Sequence, residues 1–245
     1  MISFRYVCFY IMKLTPVRNI SYELQRLNQM KIKSFLLTIF LILFCISNMV
    51  HAEEKNLHIK IDLFEKKLYV LDNYKTIEQF SISIGTDLSP SPIGTYTITE
   101  KAKSWGGGFG SRWLGLDVPW GIYGIHGTNK PHLIGENISS GCIRLNNNDV
   151  EKLYEIISEG ATVKIEGPIM GIGEGEYKNL SVGSTGNLVQ LVQERLKGYH
   201  LYNGEINGIY GVKTEFAVRE FQKMNELSIN GVVSFREYLL LGLLE

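Results

Sequence analysis

Apolar and polar residues alternate along much of the chain between residues 57 and 166. Ile59, Ile61 and Leu63 share one face of a strand, because successive side chains of a strand point to opposite faces. Similar runs predict further strands at residues 68–71, 80–84, 95–98 and 161–165. Residues 150–157 instead carry apolar side chains at helical spacing. The pattern predicts a mainly β domain with one or two helices over residues 57–166.

Helical spacing dominates beyond residue 180. Residues 167–179 are rich in glycine and predict a linker. Apolar residues then recur every three to four positions in three short segments, which begin near residues 187, 214 and 234. Helices this short are stable only when they pack around a shared core. We therefore expect a small all-α three-helix bundle over residues 180–242.

The amino-terminal part has the pattern of an export signal. Two lysines precede an apolar run at residues 35–46, and small residues follow it. The run is short for a membrane span of about twenty residues. Residues 30–52 therefore predict a signal peptide cleaved after Ala52, with an uncleaved membrane anchor as the alternative. Residues 1–29 fit no such pattern and are interpreted as an over-called extension ahead of a start at Met30.

The balance of charge differs between the amino terminus and the rest of the chain. Residues 53–245 carry nineteen Lys and Arg against twenty-four Asp and Glu, a formal net charge of −5. A mildly acidic protein lacks the basic surface that nucleic-acid binding requires. Removal of residues 1–52 also removes Cys8 and Cys45 and leaves Cys142. An unpaired cysteine in an exported protein is a candidate reactive thiol.

His126 lies sixteen residues before Cys142, and the pair suggests thiol chemistry. A thiol is mostly protonated at neutral pH, so it needs an imidazole that removes its proton or holds the thiolate as an ion pair. Gly127 and Gly141 leave room for a substrate backbone, and the N–H groups around Gly141 and Cys142 are candidate oxyanion donors. A zinc site that includes His132 lacks a fourth ligand and paired spacing, so no metal is expected.

The segments GIHGT at residues 124–128 and SSGCIRL at residues 139–145 resemble the signature of the L,D-transpeptidases, which remodel bacterial peptidoglycan. The resemblance extends over residues 57–166 and implies the β-sandwich of that family, with one or two helices. It also implies that Cys142 is the nucleophile and His126 the general base.

Three further residues match positions that support the site in that family. Ser139 matches a hydroxyl residue whose backbone carbonyl orients the histidine, and Gly141 matches the glycine of the motif. Arg144 matches an arginine that shapes the site and meets substrate carboxylates. Ser140 is a departure, because a second histidine often occupies its position. Since that histidine is not the base in the family, we expect the change to tune activity without abolishing it.

Aromatic residues cluster around a glycine-rich run at residues 106–110. The candidates for lining a substrate groove are Trp105, Trp113, Trp120, Gly127 and Ser140. Packing in the core is the alternative for the three tryptophans. The run is not followed by the lysine and hydroxyl residue of a phosphate-binding loop, so it is interpreted as a loop near the site.

Residues 180–242 resemble the peptidoglycan-binding repeat, through an ordered series of motifs that includes GSTG at 183–186 and GIYG at 208–211. The two resemblances imply an exported enzyme of the bacterial cell wall that uses no cofactor. It would form 3–3 cross-links in peptidoglycan through a thioester on Cys142. Its partners would be a stem tetrapeptide donor and a stem-peptide amine acceptor. Contact with the membrane is expected only through an uncleaved amino terminus.

Two other functions fit the same residues. Water in place of the amine gives an L,D-carboxypeptidase that uses the same Cys142 and His126. A catalytic domain without activity gives a non-catalytic cell-wall-binding protein, which the intact pair argues against. A papain-like protease fits poorly, because its cysteine precedes its histidine in the sequence.

Overall fold

The computed structural model describes residues 17–49, 57–169 and 177–244. The chain divides into two compact units, Met1–Glu54 and Lys55–Glu245. The first contains helix α1, Val17–Met49. No helix in the described ranges is both long enough and apolar enough to cross a membrane. The expected cleavage site after Ala52 lies outside the described residues, so the signal peptide and the start at Met30 stay predictions.

The second unit contains ten strands within the described residues. In chain order they are β1 Leu57–Asp62, β2 Lys67–Asp72, β3 Lys75–Ser81, β4 Ile84–Gly85, β5 Gly94–Ala102, β6 Trp113–Leu116, β7 Tyr123–His126, β8 Asn137–Ser139, β9 Ile143–Arg144 and β10 Thr162–Glu166. A large sheet has the order β3-β2-β1-β10-β5-β6-β7-β9, and β4 pairs with β8. Within the large sheet the pairs β1/β10 and β7/β9 are parallel, and the other neighbours are antiparallel.

Strand β5 joins the two halves of the large sheet. Its first residues pair with β10, and its later residues pair with β6 after a register shift between Ile98 and Glu100. Such a bulge bends a strand and increases its twist. Buried apolar residues from both halves, including Ile61, Leu114 and Ile125, belong to one core. The predicted mainly β fold is confirmed, with its halves sharing a single hydrophobic interior.

The strand alternation predicted from the sequence reappears in the burial of side chains. Ile59, Ile61 and Leu63 are at most 3% exposed. The predicted strand at 80–84 is divided, because β3 ends at Ser81 and β4 begins at Ile84. Between them, Ser83 exchanges two backbone hydrogen bonds of 2.9 Å with Arg144, and this pairing takes the chain away from β2.

Four α-helices and a short 3-10 helix, Pro131–Leu133, complete the second unit within the described residues. The α-helices are α2 Asn147–Ile156, α3 Asn187–Gly198, α4 Val212–Met224 and α5 Phe235–Leu240. Helix α2 packs its apolar side, including Val150 and Leu153, on the core of the β domain. The last three helices enclose a second core that includes Val192, Phe221 and Tyr238. The predicted small helical domain is therefore present.

Two buried glutamines stabilise the loops of the helical domain in the same way. Gln193 Oε1 accepts the N–H groups of residues 207 and 208 at 3.1 and 2.9 Å. Gln222 Oε1 accepts those of residues 230 and 231 at the same two distances. Both glutamines are fully buried, and both Nε2 groups donate to further oxygens. Each Asn-Gly turn thus has its backbone donors satisfied by one side chain from a neighbouring helix.

The helical domain forms hydrogen bonds with the β domain at the start of α3. Asn187 is 7% exposed. Its Oδ1 accepts the N–H of Ile93 at 3.0 Å, and its Nδ2 donates to the carbonyls of Ser91 at 2.9 Å and Ile169 at 3.3 Å. A second contact involves Gly208, where an added Cβ would lie 2.6 Å from the Trp120 ring.

Replacement of Asn187 by Ala should weaken the junction between the two domains. The change leaves a buried N–H and two carbonyls without their partner, which costs about 1–3 kcal/mol per unsatisfied buried group. Urea unfolding should therefore show a lower midpoint. Asn203→Ala, at an exposed position of the same domain, is the matched control. Equal midpoints for the two variants would contradict the role given to Asn187.

Candidate active site

Parallel pairing of β7 with β9 brings the two predicted catalytic residues together. His126 lies directly opposite Arg144, so their side chains point to the same face of the sheet. Cys142 lies two residues before Arg144, so the alternation of side chains places it on the same face. Its sulfur forms a hydrogen bond with the backbone of Gly124 on β7. Diagonal positions on neighbouring strands are about 7–8 Å apart. His126 and Cys142 therefore occupy diagonal positions on neighbouring segments of the sheet.

Aromatic rings bury the imidazole of His126 to 1% exposure. Trp113 stacks on it at 5.9 Å between ring centres, and Phe109 meets it edge-on at 4.9 Å. Nδ1 lies 2.6 Å from the carbonyl oxygen of Gly127. Because a carbonyl only accepts, Nδ1 carries the proton of the neutral ring and Nε2 is the basic nitrogen.

Burial sets the protonation of both groups. It lowers the pKa of His126 to about 4, assisted by the charge of Arg144 and opposed by the carbonyls of Gly127 and Phe109. Burial also raises the pKa of the Cys142 thiol, against the hydrogen bond from Gly124 and the charge of Arg144. At neutral pH the resting pair is therefore a thiol and a neutral imidazole, not an ion pair. This arrangement suits an imidazole that takes the proton as the sulfur attacks.

The turn before the cysteine is held by the Ser139 hydroxyl. Its Oγ donates to the Cys142 carbonyl at 2.6 Å and accepts the Gly141 N–H at 3.0 Å. The Ser139 carbonyl, expected to orient His126, accepts the N–H of Thr86 at 3.1 Å. The Ser139 side chain therefore holds the turn that carries Cys142, and the carbonyl in contact with His126 Nδ1 is that of Gly127. Since the Gly141 N–H is already engaged, an oxyanion site would rely on the Cys142 N–H.

The two glycines of the motifs are packed against protein atoms. An added Cβ at Gly127 would lie 2.2 Å from Asn147 Oδ1. At Gly141, where φ is +106°, it would lie 2.6 Å from the Tyr123 ring. Glycine is required at both positions by close packing, and at Gly141 also by its backbone conformation. Gly127 therefore faces Asn147 and not an open groove.

Comparison with known proteins identifies both parts of the second unit. Residues 56–165 match the family model of the L,D-transpeptidase catalytic domain. Residues 185–237 match a model described as "Putative peptidoglycan binding domain". Residues 56–165 are thus similar to L,D-transpeptidase catalytic domains, and residues 185–237 are similar to this second module.

Relatives of the transpeptidase domain are known in several bacteria. "Putative L,D-transpeptidase YkuD" of Bacillus subtilis is 38% identical over 108 residues, which cover 44% of this chain and 65% of the relative. "Probable L,D-transpeptidase ErfK/SrfK" of Escherichia coli is 30% identical over 133 residues, which cover 44% of this chain and 43% of the relative. The alignments span less than two thirds of either relative.

Solved structures of L,D-transpeptidases also resemble this chain. The enzyme from Stackebrandtia nassauensis is 26% identical, with a TM-score of 0.41 over 46% of this chain and 57% of that one. The catalytic domain from Enterococcus faecium is 20% identical, with a TM-score of 0.40 over 47% of this chain and all of that one.

The aromatic candidates take different positions in the β domain. Trp113 is buried against the His126 ring. Trp105 stacks on the outer face of Trp113, at 5.1 Å between ring centres, and is 38% exposed. Trp120 is half-buried and meets Tyr123 edge-on at 6.4 Å. Ser140 is exposed and lines a cleft together with Trp120 and Tyr123. Thus Trp113 is a core residue that covers the histidine, whereas Trp120 and Ser140 border open space.

Three residues at the site were not predicted from the sequence: Phe109, Tyr123 and Asn147. Phe109 stands in the glycine-rich run, whose closeness to the site was expected without a role for this ring. Asn147 Oδ1 accepts the Ser111 N–H at 3.0 Å and so joins that run to the start of α2. Local spacing does not reveal this contact, because the two residues are 36 positions apart in the chain.

His126→Gln should reduce the loss of stability in acid. A histidine in the unfolded chain binds a proton near pH 6.5, but burial holds the folded pKa near 4. Above pH 6.5 the ring is neutral in both the folded and the unfolded state. As the pH falls from 6.5 toward 4, the unfolded chain binds a proton that the folded chain does not. The free energy of unfolding therefore falls by about 3 kcal/mol.

Urea unfolding of the wild type and His126→Gln between about pH 4 and pH 7 measures this difference. Carboxylates titrate in both proteins, so the change in the gap between their unfolding free energies isolates the histidine. A gap that does not change with pH would contradict a buried neutral imidazole.

Arg144→Met should slow the alkylation of Cys142 by iodoacetamide at mildly alkaline pH. The guanidinium lowers the pKa of the thiol, so its removal reduces the thiolate fraction and moves the rise in rate to higher pH. Arg195→Met changes an exposed arginine of α3 and is the matched control. Identical rate-against-pH profiles for the two variants would show that Arg144 does not lower the pKa of the Cys142 thiol.

Proposed function

We propose that the protein is a cysteine-dependent L,D-transpeptidase that forms 3–3 cross-links between peptidoglycan stems outside the cytoplasm. The observation that carries the proposal is the neutral thiol–imidazole pair of Cys142 and His126, on one face of a domain that matches the family. A neutral base beside a protonated thiol is suited to activating a nucleophile during attack.

In the first half-reaction, Cys142 Sγ attacks the carbonyl that joins the third residue of a donor stem to its terminal D-alanine. His126 Nε2 takes the thiol proton as the C–S bond forms, and the carbonyl oxygen becomes an oxyanion. The C–N bond then breaks, and His126 returns the proton to the departing amine of D-alanine. A thioester on Cys142 remains.

In the second half-reaction, a side-chain amine of an acceptor stem attacks the thioester carbonyl. His126 accepts a proton from this amine, the C–S bond breaks, and the sulfur recovers its proton. The products are a new amide bond between two stems and the free thiol. The reaction needs no oxidant or other co-reactant, because each bond broken is matched by one formed.

The remaining site residues have supporting roles in this mechanism. Ser139 fixes the turn that presents Cys142, and Gly141 allows its geometry. Arg144 is half-buried beside Cys142, and the exposed part of its guanidinium would meet a substrate carboxylate. The helical domain would hold the enzyme on the polymer and raise the local concentration of stems.

Mass spectrometry of the protein incubated with a disaccharide-tetrapeptide tests the proposal. We expect a cross-linked dimer that has lost one D-alanine, and no dimer with Cys142→Ala or His126→Ala. A thioester adduct should appear on the wild type before the dimer accumulates.

Other products would assign the protein one of two different functions. A tripeptide without dimer assigns the protein as an L,D-carboxypeptidase, in which water resolves the thioester. Unchanged substrate together with binding to sacculi assigns it as a cell-wall-binding protein without catalysis.

A further inference from the structure

A cleft lies between the transpeptidase domain and the helical domain. It encloses about 260 Å³ and is lined by residues of both. Tyr123 and Ser140 contribute from the transpeptidase side, and Lys178, Thr185 and Leu188 contribute from the other. Pockets that bury a whole small ligand measure about 300–1,000 Å³. The cleft therefore has the size to hold one part of a longer molecule.

The cleft lies beside the reactive sulfur. Ser140 precedes Cys142 by two residues, so their Cα atoms are no more than about 7 Å apart. Tyr123 lines the cleft and also packs its ring against Gly141. Two extended peptide residues span about this length. A peptide whose carbonyl is bound to Cys142 is therefore long enough to extend into the cleft.

Specific contacts fix the wall that the helical domain supplies. Asn187 makes three hydrogen bonds across the junction. Gly208 packs against Trp120, and the Trp120 side chain hydrogen-bonds Tyr123. These contacts connect the helical domain to the turn that carries Cys142. The cleft is therefore held in shape by both domains.

The chemistry of the lining suits a peptide that carries a carboxylate. Ser140 and Thr185 offer exposed hydroxyls to peptide groups. Lys178 is exposed and belongs to none of the ion pairs found among the described residues, while Asp87, which has a partner of its own, also lines the cleft. An ammonium at the edge of a partly enclosed cleft attracts a negative group and orients it.

We propose that this cleft is a subsite for the stem peptide, with a stem carboxylate facing Lys178. The helical domain then forms one wall of the active site, in addition to its proposed binding to peptidoglycan. The inference rests on the proposed function for the identity of the ligand, and it assigns to Thr185 and Lys178 a part in substrate recognition.

Thr185→Trp tests the subsite by filling it from the helical domain. Val182→Trp, at a neighbouring position that is 54% exposed and outside the cleft, is its matched control. In the full chain, Thr185→Trp should lower kcat/KM for the disaccharide-tetrapeptide at least tenfold, mainly through KM. Val182→Trp should stay within twofold of the wild type.

Lys178→Gln tests the expected contact with a carboxylate. Lys197→Gln removes an exposed lysine near the end of α3 and is its control. We expect Lys178→Gln to raise KM severalfold and to reduce the dependence of KM on salt, because one charge contact is lost. Lys197→Gln should change neither quantity.

Calorimetry with the tetrapeptide, in a Cys142→Ala background, separates the subsite from the proposed reaction. Thr185→Trp should weaken binding at least tenfold there, even if the wild type proves to release tripeptide or to turn over nothing. Iodoacetamide labelling of Cys142 should be the same in Thr185→Trp and the wild type, which shows that the thiol itself is undisturbed.

Two results would overturn the subsite. One is equal KM and equal tetrapeptide affinity for Thr185→Trp and Val182→Trp. The other is a Thr185→Trp protein that loses binding to sacculi but keeps its affinity for the soluble tetrapeptide. The second result would assign this face of the helical domain to the polymer alone.

Discussion

The short parallel pairing of β7 with β9 is the constraint on which the site depends. Ile125 and Ile143 lie opposite each other, are almost fully buried, and face the core. Their neighbours His126 and Arg144 must then point to the other face, since side chains alternate along a strand. A shift of one residue in this register would exchange the two faces and separate imidazole from thiol. The core packing of two isoleucines thus determines the geometry of the reactive pair.

Protonation of the pair is set by a different part of the chain. Trp113 on β6 and Phe109 from the glycine-rich run enclose His126. The low dielectric of this enclosure disfavours charge on the ring more strongly than its carbonyl contacts favour it. The fixed positive charge of Arg144 also disfavours a protonated His126 ring. The same charge stabilises a Cys142 thiolate when one forms. The site therefore combines a neutral resting state with an environment that supports the negative sulfur during reaction.

Sequence patterns predicted the elements better than the contacts between them. Period-two alternation found β1, and helical spacing found α2 and α3, because each pattern reflects one buried face. The GIHGT and SSGCIRL segments located His126 and Cys142 without any structure. Contacts such as that of Asn147 with Ser111 depend on which segments meet in space, so no local pattern contains them. The repeated Asn-Gly turns were visible in the sequence, but the buried glutamines that hold them were recognisable only from their partners.

The raised pKa of the half-buried Cys142 thiol also bears on how the protein resists oxidation. Peroxides oxidise thiolates far faster than thiols, and sulfinic and sulfonic acids are not reduced back in ordinary proteins. Outside the cytoplasm, where the proposed function places the enzyme, the surroundings are oxidising. A sulfur that stays protonated until substrate arrives is a poor target for such oxidants. The burial that tunes the chemistry would then also give the resting enzyme resistance to oxidative inactivation.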